Sequence, residues 1–182
     1  MQEGAPKRKV HMDERLFERI RRGEQDAFRA LYDISYKPLY AFLLSCTLNV
    51  EDAQDLLQDT YIQILKNCQI YHEKGNPMAW MMKIAKNLFL MKCREEKNIH
   101  IDDRDMKNEL GFDDITNVDN RIILEGMFEL LSAEDRNLII MHDIGGLKHR
   151  EIAKLLDLPL GTVLSRYHRV IRKLQKEFGE KL

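Results

Sequence analysis

Residues 150–169 read REIAKLLDLPLGTVLSRYHR, and this stretch decides the fold of the C-terminal part of the chain. It contains two runs of apolar residues at helical spacing, separated by a short turn. A small residue, Ala153, is followed four positions later by Asp157, which tolerates a left-handed backbone, and ten positions later by the apolar Val163. This spacing predicts a helix-turn-helix, whose second helix reads the major groove of duplex DNA.

The second of these helices has an apolar face and a cationic face. The apolar face predicts a buried stripe formed by Val163, Tyr167, Val170, Ile171, Leu174 and Phe178. The other face carries the hydroxyls and cations that suit phosphates and base edges: Thr162, Ser165, Arg166, His168, Arg169, Arg172, Lys173 and Lys176. A basic face on an isolated helix is more often simply solvated, but the turn before this helix favours DNA binding.

Charge is distributed unevenly along the 182 residues, although the formal net charge is only −1. Residues 146–182 carry nine Lys or Arg against four Asp or Glu, and residues 74–97 carry six against two. Between them, residues 102–135 carry three basic residues against eleven acidic ones. Two basic segments separated by an acidic one predict two modules that face nucleic acid, joined by a segment that DNA does not attract.

Helical periodicity extends over most of the chain, and alternating strand patterns are absent, so the sequence predicts an all-α protein. It predicts two small helical domains, residues 12–97 and 120–182, of which the second contains the helix-turn-helix. An acidic flexible linker at 98–119 joins them, and a disordered basic tail occupies residues 1–11.

Several local signals predict where helices begin and which side chains they bury. Asn49, Asn76 and Ser132 are predicted N-caps, with Pro77 at a first helical position, and Pro38 is predicted to start or kink a helix. The helix that follows Asn49 is predicted to bury Ala53, Leu56, Leu57, Ile64 and Leu65. The helix that follows Pro77 is predicted to bury Met81, Ile84, Ala85, Leu88 and Met91.

Residues of the kind that bind metals or perform catalysis do not form a recognisable pattern. The three cysteines, Cys46, Cys68 and Cys93, are widely spaced, and the histidines do not fall at ligand spacing, so neither a metal site nor a cofactor is expected. The chain also lacks a glycine-rich phosphate loop and a nucleophile elbow, which argues against an enzyme. With no apolar run of membrane-spanning length, we expect no membrane insertion and a cytoplasmic location.

Three segments in a fixed order give the chain a resemblance to a known family. Residues 150–169 resemble the C-terminal signature of the extracytoplasmic-function (ECF) sigma factors of the sigma-70 family. Residues 51–61, EDAQDLLQDTY, resemble the family's core-polymerase-binding helix, and residues 79–88, AWMMKIAKNL, resemble its promoter-melting helix. The resemblance spans roughly residues 25–178. It implies a non-catalytic subunit that binds core RNA polymerase, recognises the −10 and −35 promoter elements and helps to open the DNA.

The resemblance also implies roles for individual residues. It assigns the contact with the β′ clamp of the polymerase to an acidic helix face that carries Glu51, Asp52, Asp55, Gln58 and Asp59. Composition alone equally allows this face to be a solvated one. The single-stranded −10 element falls to Tyr71, Lys74, Asn76, Trp80, Lys83, Lys86 and Asn87. A tryptophan at helical spacing is at least as often a core residue. The duplex −35 element falls to the cationic face of the last helix, and an anti-sigma factor is the further partner that the family suggests.

Two other interpretations remain open at this stage. A helix-turn-helix regulator with an N-terminal dimerisation or effector domain explains residues 146–182 equally well, but it leaves the acidic helix and the Trp80 helix unexplained. A stable dimer and a palindromic target would favour it, whereas co-purification with core polymerase would favour a sigma factor. An all-α enzyme or metal-dependent sensor has less support, and a stoichiometric bound metal would favour it.

Overall fold

A computed structural model describes residues 15–71, 76–98 and 130–179. Within these ranges the protein is built from seven α-helices and contains no strand, which confirms the all-α prediction. The helices are α1 (Arg15–Arg21), α2 (Gln25–Thr47), α3 (Val50–Asn67), α4 (Pro77–Asn98), α5 (Ala133–Ile139), α6 (His149–Leu156) and α7 (Leu160–Phe178). The predicted tail and nearly all of the predicted linker lie outside the described residues. None of the described helices is long and apolar enough to cross a membrane.

Helices α2, α3 and α4 pack against one another and form the N-terminal part of the core. Their fully buried side chains include Leu39, Leu43, Ile64, Met81 and Met82. Helix α1 packs on α2 through Phe17, which is also fully buried. In the C-terminal part, α5, α6 and α7 enclose Leu138, Ile152, Val163, Val170 and Leu174. The buried residues of both parts belong to one continuous cluster.

The predicted N-caps are confirmed by their hydrogen bonds. The Asn49 side chain accepts from the backbone N–H of Asp52 at 3.0 Å, and the Ser132 hydroxyl accepts from that of Asp135 at 3.3 Å. The Asn76 side chain accepts from the N–H of Met78 at 3.0 Å. Each bond satisfies a donor that the first turn of a helix leaves without an intrahelical partner.

Pro38 does not separate two helices, because α2 continues through it from Gln25 to Thr47. A proline inside a helix removes one backbone hydrogen bond and typically costs about 3 kcal/mol. Residues on both sides of it, Leu31 and Leu43 among them, are fully buried. Tertiary packing along the whole helix therefore outweighs the local preference for a break.

For two residues the prediction of burial is wrong. Leu65 is 41% exposed and Met91 is 52% exposed. On α3 the inward positions after Leu57 are taken by Thr60, Tyr61 and Ile64 instead. Leu65 points about 100° away from the buried Ile64 on the helix and lies on the same side as the exposed Gln58 and Ile62.

A wide π-helical turn, Ile140–Ile144, continues α5 and ends at Gly145 and Gly146. Gly146 has a φ of 69°, which favours glycine. Gly145 makes a close approach instead: a Cβ atom there would lie 2.5 Å from the Met82 Cε atom of α4. The absence of a side chain at this position lets the two parts of the chain pack directly.

Candidate nucleic-acid and polymerase interfaces

The turn between α6 and α7 has the conformation that the sequence predicts. Asp157 adopts a left-handed backbone with φ 56° and ψ 47°, and the N–H of Leu158 donates to the carbonyl of Ala153 at 2.9 Å. Ala153 and Val163 are both buried between the two helices. The small residue, the left-handed turn and the apolar anchor therefore form a helix-turn-helix, with α7 in the recognition position.

Helix α7 separates its residues into two faces as predicted. Val163, Tyr167, Val170 and Leu174 are buried, and Ile171 and Phe178 are half-buried beside them. On the opposite side five of the predicted −35 residues are exposed, namely Ser165, His168, Arg169, Arg172 and Lys173. Thr162 and Arg166 are half-buried at the edge of this surface. A row of cations with hydroxyls at one end suits the phosphates and base edges of a major groove.

Carboxylates at the start of α5 reach two arginines of α7. Arg166 Nη2 lies 2.9 Å from Glu134 Oε2, and Arg169 Nη2 lies 3.5 Å from Asp135 Oδ1. The Arg166 side chain is 31% exposed, whereas that of Arg169 is 65% exposed. Arg166 is thus held against α5, whereas Arg169 extends into solvent.

An aromatic cluster that the sequence did not predict supports α7 from behind. The rings of His142 and His149 lie 4.1 Å apart, and each lies 4.7 Å from the Tyr167 ring in an edge-on arrangement. The Tyr167 hydroxyl donates to the Asp143 carboxylate at 3.1 Å. The only sequence signal was the place of Tyr167 in the buried stripe. Among the described residues, no group of His, Cys, Asp or Glu has the arrangement of a metal site.

The exposed face of α3 is acidic. Glu51, Asp55, Gln58 and Asp59 are exposed, whereas Asp52 is half-buried and forms an ion pair with Lys92 of α4 at 2.5 Å. Two apolar side chains continue this face, Ile62, for which the sequence predicts no role, and Leu65, which it predicts to be buried; they are 47% and 41% exposed. Positions 55, 58, 62 and 65 follow one another at intervals of three or four residues, which places them on one side of a helix. This spacing was the sequence signal that could have identified Ile62 and Leu65 as part of the face.

Four of the predicted −10 residues lie at the start of α4 or along it, and we call their surface the α4 face: the N-cap Asn76, and Trp80, Lys83 and Lys86 of the helix. Lys83 is exposed, and the other three are half-buried. Asn87, the next predicted residue, is also exposed, and Lys74 lies outside the described residues. An aromatic ring between an amide and two ammonium groups has the composition of a surface that stacks and holds single-stranded nucleic acid.

Trp80 is fixed from one side by two other aromatic rings. Its ring centroid lies 5.5 Å from that of Phe17 and 4.9 Å from that of Tyr71. Tyr71 is only 6% exposed, and its carbonyl accepts from Arg21 at 3.4 Å. Tyr71 therefore forms part of the wall behind Trp80, and Trp80 is the more exposed of the two rings.

A cleft of about 530 Å³ separates part of the α4 face from α6. The α4 side of the cleft contributes Asn76, Ala79, Trp80 and Lys83, and the α6 side contributes Arg150, Glu151, Lys154 and Leu155. At one end the Asn76 amide donates to Glu151 Oε2 at 3.0 Å. Lys86 Nζ donates to the Leu155 carbonyl at 2.7 Å. The candidate −10 surface thus lies directly against the first helix of the helix-turn-helix.

Comparison with known proteins identifies two matching family descriptions. Sigma-70 region 2 matches residues 31–99, and Sigma-70 region 4 matches residues 121–174. Together these ranges contain α3, α4, α6 and most of α7, and they cover most of the chain.

Curated relatives align over nearly the full length. The ECF RNA polymerase sigma factor SigW of Bacillus subtilis is 24% identical over 187 residues, covering 93% of this chain and 98% of the relative. The ECF RNA polymerase sigma-E factor of Escherichia coli K12 is 28% identical over 171 residues, covering 86% of this chain and 89% of the relative.

Two solved structures share the fold. The first is the sigma factor RpoE in complex with the anti-sigma factor NepR from Bartonella quintana, with a TM-score of 0.63, 22% identity and coverage of 85% of this chain and 98% of that one. The second is CnrH in complex with the cytosolic domain of CnrY, with a TM-score of 0.63, 20% identity and coverage of 93% and 99%.

Proposed function

The chain belongs to the ECF sigma factors of the sigma-70 family, and from this premise we propose how its surfaces divide the work of promoter recognition. It directs promoter-specific transcription initiation as a subunit of RNA polymerase. The residue roles that follow are proposals, and they rest on exposure, charge and geometry.

The exposed face of α7 contacts the −35 element as duplex DNA. The observation that carries this proposal is the division of α7 into a buried apolar stripe and an exposed cationic face directly after a left-handed turn at Asp157. Arg169 and Arg172 are exposed on this face and are the proposed groove contacts, with Ser165 and Thr162 toward the N-terminus of the helix. Arg166, His168 and Lys173 complete the proposed surface.

The α4 face, together with Asn87 and Lys74, contacts the −10 element as a single strand. Trp80 offers a ring to an unpaired base, and Lys83 and Lys86 attract the strand backbone. Tyr71 belongs to this site through its contact with Trp80 and stiffens that ring. A fixed stacking platform loses less side-chain entropy on binding than a mobile one would.

The acidic face of α3, with Glu51, Asp52, Asp55, Gln58 and Asp59, docks on the basic surface of the polymerase β′ clamp. Asp55 and Asp59 are exposed one turn apart, so both can meet one cationic partner surface. Ile62 and Leu65 continue the same face, and they supply the apolar centre that a stable interface requires.

The domain boundaries and cellular setting are part of the proposal. Residues 12–97 and 120–182 form the two modules, and the separate family matches at 31–99 and 121–174 support that division. We assign no catalytic activity to the chain itself, and a cytoplasmic location follows from its work with RNA polymerase. The solved structure of RpoE is a complex with the anti-sigma factor NepR, which supports an anti-sigma factor as a further partner.

Run-off transcription tests the proposed function. The purified chain is added to core RNA polymerase with a library of genomic promoter fragments, and the start sites of the transcripts are mapped. We expect the mapped start sites to share two upstream sequence elements. Core polymerase alone should produce no transcripts from these sites. DNA binding without any transcript, together with failure to co-purify with core polymerase, would indicate a conventional helix-turn-helix regulator instead.

A further inference from the structure

The cleft between the α4 face and α6 has the size of a small-molecule site. Its volume of about 530 Å³ lies within the range of roughly 300–1,000 Å³ that is typical of such sites. Two hydrogen bonds join its walls, one from Asn76 to Glu151 and one from Lys86 to the Leu155 carbonyl. The ten positions between Asn76 and Lys86 correspond to roughly 15 Å of helix rise. The cleft is therefore a bounded space in which a ligand meets side chains from both walls.

Cations predominate in the lining of this cleft. Lys83 stands on the α4 wall, and Arg150 and Lys154 stand on the α6 wall. The one carboxylate among the described lining residues belongs to Glu151, whose Oε2 atom accepts one hydrogen bond from the start of α4 and one from the start of α6. Three cationic groups against this one hydrogen-bonded carboxylate leave an excess of two positive charges. The lining therefore attracts an anion that carries more than one charge.

The two cations of α6 are placed so that they can act together. Arg150 and Lys154 are four residues apart, about one helical turn, so both side chains project from the same side of α6. Both are exposed, and neither belongs to the surface that we propose for the −35 element or for the −10 element. A guanidinium group binds phosphate oxygens through paired hydrogen bonds, and an ammonium group adds a compact charge. Phosphate groups are therefore the anions that this pair suits.

Trp80 gives the same cleft an aromatic wall. The Phe17 ring lies edge-on to the Trp80 ring at 5.5 Å and the Tyr71 ring lies 4.9 Å from it, so the indole is held from one side. The half-buried indole lines the cleft together with the apolar side chains of Ala79 and Leu155. A planar heterocyclic base stacks favourably on such a fixed ring. The cleft therefore offers a stacking surface beside a cluster of cations.

We propose that this cleft binds a nucleoside di- or triphosphate, with its base stacked on Trp80 and its phosphates between the cations of the two walls. Such a molecule combines the two features that the lining provides for, a planar aromatic ring and a chain of negative charges. Exposed cations are commonly only solvated, but these share a bounded space with a fixed aromatic ring. The bonds that join the walls favour a single nucleotide over a strand, because a strand has to continue past one end. The inference goes beyond the proposed function, although Trp80 and Lys83 belong to both sites.

The fluorescence of Trp80 reports directly on this site, because Trp80 is the only tryptophan in the chain. The full-length protein is titrated with ATP and with GTP, without polymerase or divalent cations, and free tryptophan corrects for light absorbed by the base. Two partial ligands are compared with ATP: adenosine, which lacks the phosphates, and inorganic triphosphate, which lacks the base and is measured by displacement of ATP. We expect saturable quenching by both nucleotides, because every base has a face that can stack, and roughly ten-fold weaker binding of each partial ligand.

Two substitutions remove the cations of α6 and leave the proposed DNA-binding residues in place. Arg150→Ala and Lys154→Ala each delete one charge from an exposed side chain, so neither should alter the fold. Each should weaken ATP binding roughly five-fold, through the loss of one charge-assisted contact. Lys37→Ala is the matched control, because Lys37 is an exposed lysine of α2 that does not line the cleft. It should change the affinity for ATP less than about two-fold.

Three outcomes overturn the inference. The first is the absence of saturable quenching by ATP and GTP at millimolar concentration. The second is equal affinity for ATP in the wild-type chain, Arg150→Ala and Lys154→Ala, since the nucleotide would then contact Trp80 without the α6 wall. The third is inorganic triphosphate that binds as tightly as ATP, because such a site would recognise charge alone.

Run-off transcription separates these failures from failure of the proposed function. A wild-type chain that supports transcription and shows any of the three outcomes lacks the nucleotide site and retains the proposed function. A chain that binds ATP as expected and supports no transcription with core polymerase retains the nucleotide site, and the proposed function is then wrong.

Discussion

Replacement of Arg169 by alanine is the sharpest test of the recognition helix. The Arg169 side chain is 65% exposed on the cationic face of α7, with Ser165 and Arg172 on the same side. Its ion pair with Asp135 has an N–O distance of 3.5 Å, which is long for a charged hydrogen bond. Contacts this exposed are each worth about 0–1 kcal/mol, so Arg169 gives up little when it turns toward DNA.

The expected loss of −35 affinity is the free energy of the arginine–DNA contact less that of the ion pair with Asp135. An arginine contact with a base or phosphate is worth about 1–3 kcal/mol. Subtraction of about 0.5 kcal/mol for the weak Asp135 pair leaves a net loss of about 0.5–2.5 kcal/mol for Arg169→Ala, which corresponds to roughly a two- to seventy-fold weaker −35 complex. If the contact is with a phosphate, the plot of log affinity against log salt also becomes shallower by about 0.9.

The assay is anisotropy of a labelled −35 duplex titrated with the chain at several potassium chloride concentrations. Arg29→Ala serves as the matched control, because Arg29 is an exposed arginine of α2 away from α7. Affinity for core polymerase should be the same in both variants. A dissociation constant for Arg169→Ala within two-fold of wild type, with an unchanged salt slope, would refute the assignment of this face to DNA.

Three further predictions concern the acidic helix, the interior and the turn. Reversal of Asp55 and Asp59 to lysine should weaken association with core polymerase at least ten-fold. The thermal melting temperature should not change, because both side chains are exposed. Unchanged association would mean that this surface contacts only solvent. Burial raises the pKa of the Cys46 thiol from 9.0 to about 11, against a lowering by the Asn137 hydrogen bond. The thiol therefore contributes stability that is complete below about pH 9 and is lost as the pH rises toward about 11, by at most about 2–3 kcal/mol. In urea titrations across this range, Cys46→Ala should show a smaller pH-dependent loss, and equal losses would contradict the shift. Asp157→Gly should raise the free energy of unfolding by up to about 1 kcal/mol, because glycine adopts a φ of 56° without steric penalty. A loss of stability would mean that the Asp157 side chain stabilises the fold by more than its left-handed backbone destabilises it.

The features that the sequence predicted correctly depend on neighbours within one or two turns. The caps at Asn49 and Ser132 join residues three positions apart, and the left-handed turn at Asp157 follows from the residue type and the spacing around it. The buried stripe of α7 follows from a regular helical period. Such signals are complete within a short stretch of sequence, so no knowledge of the rest of the fold is needed.

The features that the sequence did not predict depend on what lies opposite. Pro38 stands inside a helix because α2 is buried on both sides of it, and Leu65 is exposed on the side of α3 that also carries the exposed Gln58 and Ile62. Trp80 is half-buried because Phe17, 63 positions earlier in the chain, packs on its edge. Contacts across such separations leave no periodic trace in either segment.

The contact of α6 with α4 also joins residues that are far apart in the sequence. Lys86 and Leu155 are 69 residues apart, and the acceptor is a backbone carbonyl, which every residue type supplies. Neither the basic character of α4 nor the helix-turn-helix motif contains information about this pairing. The sequence could therefore suggest both DNA surfaces and could not suggest that one of them faces the other part of the chain.

The contact between Asn76 and Glu151 joins two parts of a single polypeptide, and its strength is therefore set by an effective concentration and not by how much protein is present. For tethered partners that concentration is on the order of millimolar. Dilution therefore cannot separate α6 from α4, and neither can a change in the amount of the protein. A competitor at micromolar concentration has to bind either part roughly a thousand times more tightly than the two parts bind each other, or bind both at once, to hold them apart.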